Sequence, residues 1–144
     1  MKRFAVRLAD WEADRGKLKA VRHAVFVVEQ GVPEELEWDD IDPDCTHVIA
    51  EDGGGQPIGC GRLLPDGHVG RMAVLKPWRG AGVGATLLAR LIELARAGGY
   101  REAVLHAQTR AAAFYAQHGF RVTSPEFEEA GMPHVEMRLP LRAT

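Results

Sequence analysis

The run WRGAGVGATLL, residues 78–88, sets Gly80, Gly82 and Gly84 directly ahead of an apolar helical stripe. Val83, Leu87, Leu88, Leu91, Ile92 and Ala95 recur at helical spacing, and Gly98-Gly99 ends the pattern. Bare backbone at such glycines approaches an anion closely, and the unpaired N–H groups of a helix start add hydrogen bonds and partial positive charge. The segment therefore reads as a phosphate cradle, whose compound its flanks must decide. Gly80 to Ala85 also satisfies G-x-G-x-x-A, the dinucleotide spacing. That fold needs a strand running straight into the first glycine and an acid ending the next strand to hold a ribose. Here Lys76-Pro77-Trp78-Arg79 intervene, Glu102 begins the next strand, and too little chain follows for further βαβ units. No G-K-[ST] follows, as a triphosphate loop requires. A glycine-rich helix start that binds nothing is the plain structural alternative.

The rest of the chain supplies the frame. Phe4, Val6 and Leu8 alternate with Ala5, Arg7 and Ala9 as an opening strand. Asp14 is expected to cap a helix whose stripe is Leu18, Val21, Val25 and Val28. Glu34 to Asp44 carries seven carboxylates, Glu34, Glu35, Glu37, Asp39, Asp40, Asp42 and Asp44, and reads as a loop. THVIAE and PIGCGRLL form strands joined through Gly53-Gly54-Gly55, and HVGRMAV follows a Pro65-Asp66-Gly67 turn. After the glycine loop and its helix, AVLHA is a buried strand parallel to the one before it. The short helix AAAFYAQH stops at Gly119, and FRVTS and HVEMRLPL close the sheet as a final pair. The order is β-α-β-β-β-α-β-α-β-β, a single α/β domain over residues 1–144 with a mixed sheet that is antiparallel in its first half.

Composition narrows the function classes. At a net charge of -2, with 46% hydrophobic and 26% charged residues, the chain advertises no basic face for nucleic acid. No stretch is long and apolar enough to span a bilayer, and residues 1–14 lack a signal-peptide core. Cys45 and Cys60 fit no metal or redox spacing, so no metal and a reduced, cytoplasmic setting are expected.

Arg79-Gly80-Ala81-Gly82-Val83-Gly84 resembles the R/Q-x-x-G-x-G/A signature of the GCN5-related N-acetyltransferase (GNAT) family, whose loop holds the pyrophosphate of acetyl-coenzyme A. AQTRAAAFYAQHGF, residues 107–120, resembles that family's N-x-x-A-x-x-x-Y-x-x-x-G-F element, with Ala111, Tyr115, Gly119 and Phe120 in place and Gln108 where Asn is usual. VFVVEQGVPEELEWDDIDPDCTHVIA, GRMAV and GMPHVEM are similar to the bacterial subgroup typified by ElaA and YjcF. The resemblance implies the acyl-CoA N-acyltransferase fold, with central parallel strands, residues 69–74 and 103–108, that splay apart to admit the pantetheine arm.

It also implies roles. The backbone from Gly80 through Ala81, Gly82, Val83 and Gly84 to Ala85 would bind pyrophosphate, with charge-assisted help from Arg79. Met72 and Val74 would pair with pantetheine through their main chains, and the N–H of Ala73 or Val74 would meet the thioester oxygen. Gln108 and Ala111 would touch the cofactor arm. Tyr115 would protonate the departing thiolate, its phenol near pKa 10 facing a thiol near 8.5. Glu29, His47 and His134 lie in matching stretches and are candidates for the base, each equally suited to a structural hydrogen bond. Cys60 sits mid-strand without a base partner, so direct transfer in a ternary complex is favoured over an acyl-enzyme. The expected acceptor is an amine of a small molecule or peptide, cationic if the acidic stretch borders its cleft, on a monomer or homodimer. The alternative is a non-catalytic acyl-CoA-binding or regulatory module.

Overall fold

A computed structural model describes residues 3–141. The alternation at the start builds β1 (Phe4–Ala9), and α1 (Trp11–Arg22) follows at once. Asp10, not Asp14, is the cap: its side chain accepts the Ala13 N–H at 2.8 Å. Asp14 sits one turn in, accepts the Asp10 N–H at 2.9 Å, and is clamped by both terminal nitrogens of Arg7. The cap is thus reciprocal, and the acid with the stronger cation beside it was not the one at the boundary.

The α1 stripe also ends earlier than its spacing suggests. Leu18, Val21 and Val25 are buried, but Val28 is 70% exposed. Residues His23–Glu29 form a π-helix, with Gln30 N–H donating to the Val25 carbonyl at 3.0 Å, and its wider turn rotates Val28 off the buried face. The acidic segment is not a plain loop either. It holds a one-turn helix α2 (Glu34–Glu37) and a 3₁₀ turn (Asp42–Asp44).

The sheet follows with β2 (Thr46–Asp52), β3 (Pro57–Leu63) and β4 (His68–Val74), then α3 (Val83–Ala97), β5 (Glu102–Gln108), α4 (Ala112–Ala116), β6 (Arg121–Val122), β7 (Phe127–Glu129) and β8 (Met132–Pro140). Its eight strands run β1-β2-β3-β4-β5-β8-β6, with β7 also paired to β8. The closing pair expected from the sequence is therefore three strands. β7 is a three-residue arm of the hairpin through Ala130-Gly131, too short for alternation to reveal. Every pairing is antiparallel except β4 with β5.

Alternate residues of β2 face opposite layers. Val48 and Ala50 join Leu87, Leu88 and Leu91 of α3 in one core, while Ile49 joins Leu18, Val21 and Val25 in the other. α3 lies close on β3: a Cβ on Gly61 would fall 2.8 Å from Leu91 Cδ1, and one on Gly59 3.0 Å from Leu87 Cδ1. The G-C-G of β3 is therefore a packing requirement. No helix among the described residues is long and apolar enough to cross a membrane.

Candidate active site

β4 begins in register with β5 and then leaves it. The parallel ladder consists of His68↔Val104 and Val69↔Leu105 and goes no further. The cause lies on the other side of β4, where the register with β3 slips between Cys60↔Ala73 and Arg62↔Gly70. Arg71 absorbs the extra residue at φ 50°, a left-handed conformation that costs a non-glycine residue energy and bends the strand.

Main-chain directions across the resulting gap follow from hydrogen-bond phase. Leu75 N–H donates to the Ile58 carbonyl at 2.9 Å, so Leu75 and Ala73 point toward β3, leaving Met72 and Val74 toward β5. Val104 N–H donates to the Gly67 carbonyl at 3.2 Å, so His106 and Gln108 point back toward β4. Polar backbone thus faces polar backbone over a widening slot in mid-sheet. Of the residues expected to line it, Met72 and Val74 turn their main chains into the slot, and Ala73 turns its own away.

The glycine loop stands at the slot's wide end. Gly80 and Gly82 have φ of 83° and 88°, and Gly82 caps α3 in the left-handed region. The first amide of the helix to find a backbone partner is that of Thr86, donating to the Gly82 carbonyl at 3.1 Å. The N–H groups of Val83, Gly84 and Ala85 precede it and have no intrahelical partner. A Cβ at Gly80 or Gly82 would meet nothing within 4 Å, while one at Gly84 would lie between Phe114 and Val74. This is open backbone at a positive helix end, the geometry that receives a phosphate.

Arg79 sits beside the loop but is occupied. Its Nε donates to the Val74 carbonyl at 3.0 Å, and its terminal nitrogens bind both oxygens of Glu29 at 2.6 and 2.7 Å. Arg79 holds the Glu29 carboxyl below the usual carboxylate range, so in this pairing Glu29 is a weak base. The neighbouring Gln30 reaches the other strand: Gln108 Nε2 donates to Gln30 Oε1 at 2.9 Å, and Arg110 Nε donates to Gln108 Oε1 at 2.9 Å. The side-chain amide of Gln108 is thereby engaged within the protein.

Tyr115 lies on α4, which packs on β5, with its ring edge-on to Phe114 and Phe120. Burial pushes its phenol up to about 12, so it is protonated throughout the neutral range. Ala111 ends the turn that precedes α4. His47 lies apart from these groups, 3% exposed on β2, stacked on Trp11, with its Nε2 hydrogen-bonded to the Asp42 carbonyl at 2.8 Å. Burial pulls its imidazole down, and the geometry is that of a structural histidine. Cys60, 1% exposed, has its thiol pushed up to about 12 by burial, which removes it as a nucleophile.

His134 is better placed than His47. It is 6% exposed and paired across the ladder with Gln108, its Nδ1 donates to the Met132 carbonyl at 2.8 Å, and its Nε2 lies 3.8 Å from Glu129. Glu129 also binds His106 Nδ1 at 2.9 Å. These contacts depend on the β7–β8 hairpin, which is why Glu129 and His106 carried no signal in the sequence.

Three carboxylates of the acidic stretch, Glu37, Asp39 and Asp42, are paired with arginines, and Glu34, Glu35, Asp40 and Asp44 are exposed. Arg22, 1% exposed, binds Glu37 at 2.8 Å and Asp42 at 2.9 Å; Arg62 binds Asp42 at 2.6 Å and both oxygens of Asp39 at 3.0 Å. Arg71, on the bulge, donates to the Glu37 carbonyl at 3.2 Å. Trp38 is covered by Arg22 and Lys19. Glu37, Asp39 and Asp42 are thus anchored as a wall, while the other four carboxylates lie on the exposed side of the segment. The three arginines that hold it come from α1, β3 and β4, too far apart in sequence to advertise a pairing.

Three comparisons place this geometry among known proteins. The family model described as an acetyltransferase (GNAT) domain matches residues 12–141. The uncharacterized N-acetyltransferase YjcF of Bacillus subtilis is 44% identical over 121 residues, 81% of this chain and 86% of its own. An acyl-CoA N-acyltransferase of Pseudomonas aeruginosa superposes with TM-score 0.80 at 29% identity, and ElaA of Escherichia coli with 0.78 at 28%, each over 96% of this chain and 99% of the other.

Proposed function

The chain belongs to the GNAT acetyltransferase family, and from that premise we propose that it moves an acetyl group from acetyl-coenzyme A to a primary amine of a small molecule or peptide. The observation that carries this reading is the β4–β5 ladder, which stops at Val69↔Leu105 with an open helix start, α3, at the mouth of the slot. The N–H groups from Gly80 to Ala85 take the pyrophosphate, and Met72 and Val74 receive the amide-bearing pantetheine as a strand would be received. The Val74 N–H is the donor for the thioester oxygen as charge develops on it.

The neutral amine attacks the thioester carbon, the N–C bond forms, and the C–S bond breaks. Tyr115 gives its proton to the thiolate sulfur and is reprotonated from solvent. The incoming ammonium loses one proton before attack and the tetrahedral nitrogen loses a second as it collapses, both through water or His134 Nε2 with His47 enclosed, and one of the two replaces the proton that Tyr115 gave. The products are the N-acetyl amine, coenzyme A and one proton. The test is thiol release from acetyl-coenzyme A with a panel of primary amines. Release that depends on both substrates supports transfer; coenzyme A binding without release by any amine would reduce the protein to a binding module.

A further inference from the structure

The end of the π-helix lies across the slot like a strap. Glu29 is tied to the β4 side, because Arg79, its partner, also holds the Val74 carbonyl. Gln30, the next residue, is tied to the β5 side through Gln108. Two adjacent residues therefore reach both diverging strands, Gln30 directly at Gln108 and Glu29 through Arg79. The segment that carries them is the one helical stretch with π geometry among the described residues, and such turns recur at functional sites.

Glu29 also has a poor claim on its partner. The two side chains are 36% and 40% exposed, and ion pairs at that depth contribute little. Lys76 and Arg110 add to the positive field at the same carboxylate. A pyrophosphate arriving at the adjacent loop brings more charge and more acceptor oxygens than one carboxylate, so it outcompetes Glu29 for Arg79. The released carboxylate then stands on the β4 side of the slot, near Val74, free to take another cation.

Building on the acetyltransferase reading, we propose that Glu29 changes partners during the reaction: it holds Arg79 in the free protein and, once pyrophosphate takes Arg79, it receives the ammonium group of a cationic acceptor. The acceptor class is an alkylamine, charged in solution, in preference to a neutral arylamine. Coenzyme and acceptor then bind with positive coupling, each raising the affinity for the other by the same factor. Glu29 is a positioning residue in this scheme, and the proton is removed elsewhere.

Calorimetric titration with coenzyme A tests the first half without any acceptor. Glu29→Gln should bind about two- to fivefold more tightly than the parent, the factor that an exposed ion pair of about 0.4–1 kcal/mol corresponds to. That gain should vanish in an Arg79→Ala background. Equal or weaker binding by Glu29→Gln, or a gain of the same size without Arg79, overturns the exchange. For the second half, with an alkylamine that supports thiol release, Glu29→Gln should raise the acceptor KM about tenfold or more with kcat within about threefold. A fall in kcat at constant KM, or equal turnover of arylamines by the parent, overturns it. If the parent binds no coenzyme A, the acetyltransferase reading itself falls; if the parent binds it and the variants behave alike, only the exchange falls.

Discussion

Arg7 shows how much one side chain organises here. It binds Asp14 of α1 at 2.8 and 2.9 Å and Glu51 of β2 at 2.8 Å, joining strand, helix and strand at one corner. Its hydrogen bonds hold both carboxyls near 2, below their ordinary values of 3.8 and 4.5. Groups with depressed values contribute stability above their unfolded values and lose it as pH falls through the folded ones. Arg7→Ala should therefore melt below the parent at pH 7, and the difference should close between pH 4.5 and about 2, as followed by circular dichroism; a gap constant over that range would remove the linkage. Tyr115 supplies the matching prediction for chemistry. Tyr115→Phe keeps the ring among Phe114 and Phe120 and deletes only the proton, so coenzyme A affinity should hold while kcat drops about 10²- to 10⁴-fold. A loss under about threefold would return Tyr115 to the core.

Among the elements, the acidic wall changes meaning most between sequence and structure. Glu37 and Asp42 are 2% exposed against Arg22, so removing one partner strands a buried charge, at a cost of about 3–5 kcal/mol. Glu37→Gln should lower the melting temperature by about 10 °C or more, whereas Asp40→Asn, on the exposed side of the same segment, should shift it very little. The strands, α3 and the glycine loop were legible because each is a local pattern: alternation, a 3.6-residue stripe, glycines where φ must be positive. The expectation of a phosphate cradle from Arg79 to Ala85 rested on the same kind of local pattern, and that for Tyr115 on the resemblance of residues 107–120 to a family motif. What escaped depends on distant neighbours. Val28 looks like core until the π turn rotates it outward, Asp14 looks like a cap until Arg7 claims it, and β7 exists only because β8 is there to pair with it. The partnership of Glu29 with Arg79, fifty positions apart, has no sequence signal at all.

For the whole molecule, a ligand that binds only the folded state must stabilise it. Coenzyme A at about one hundred times its dissociation constant is worth about 2.7 kcal/mol, or about 5–10 °C in melting temperature for a chain of this size, and NAD should give no shift. Replacing Gly82 with Val, at φ 88°, should abolish that shift in a protein that remains folded. An equal shift in the folded variant would displace the phosphate site from this loop. The interrupted ladder between β4 and β5 has a further consequence, visible by isotope exchange. It leaves the molecule with two strand edges in the interior of its own sheet, facing one another. Outer edges invite any extended chain to add itself, the route to aggregation. An inner pair is shielded by its neighbours, β3 on one side and β8 on the other, and only a thin, amide-bearing rod can enter lengthwise. Amides at Met72, Val74, His106 and Gln108 should exchange with deuterium fast for mid-sheet positions, then slow when such a rod is threaded between them as the missing strand.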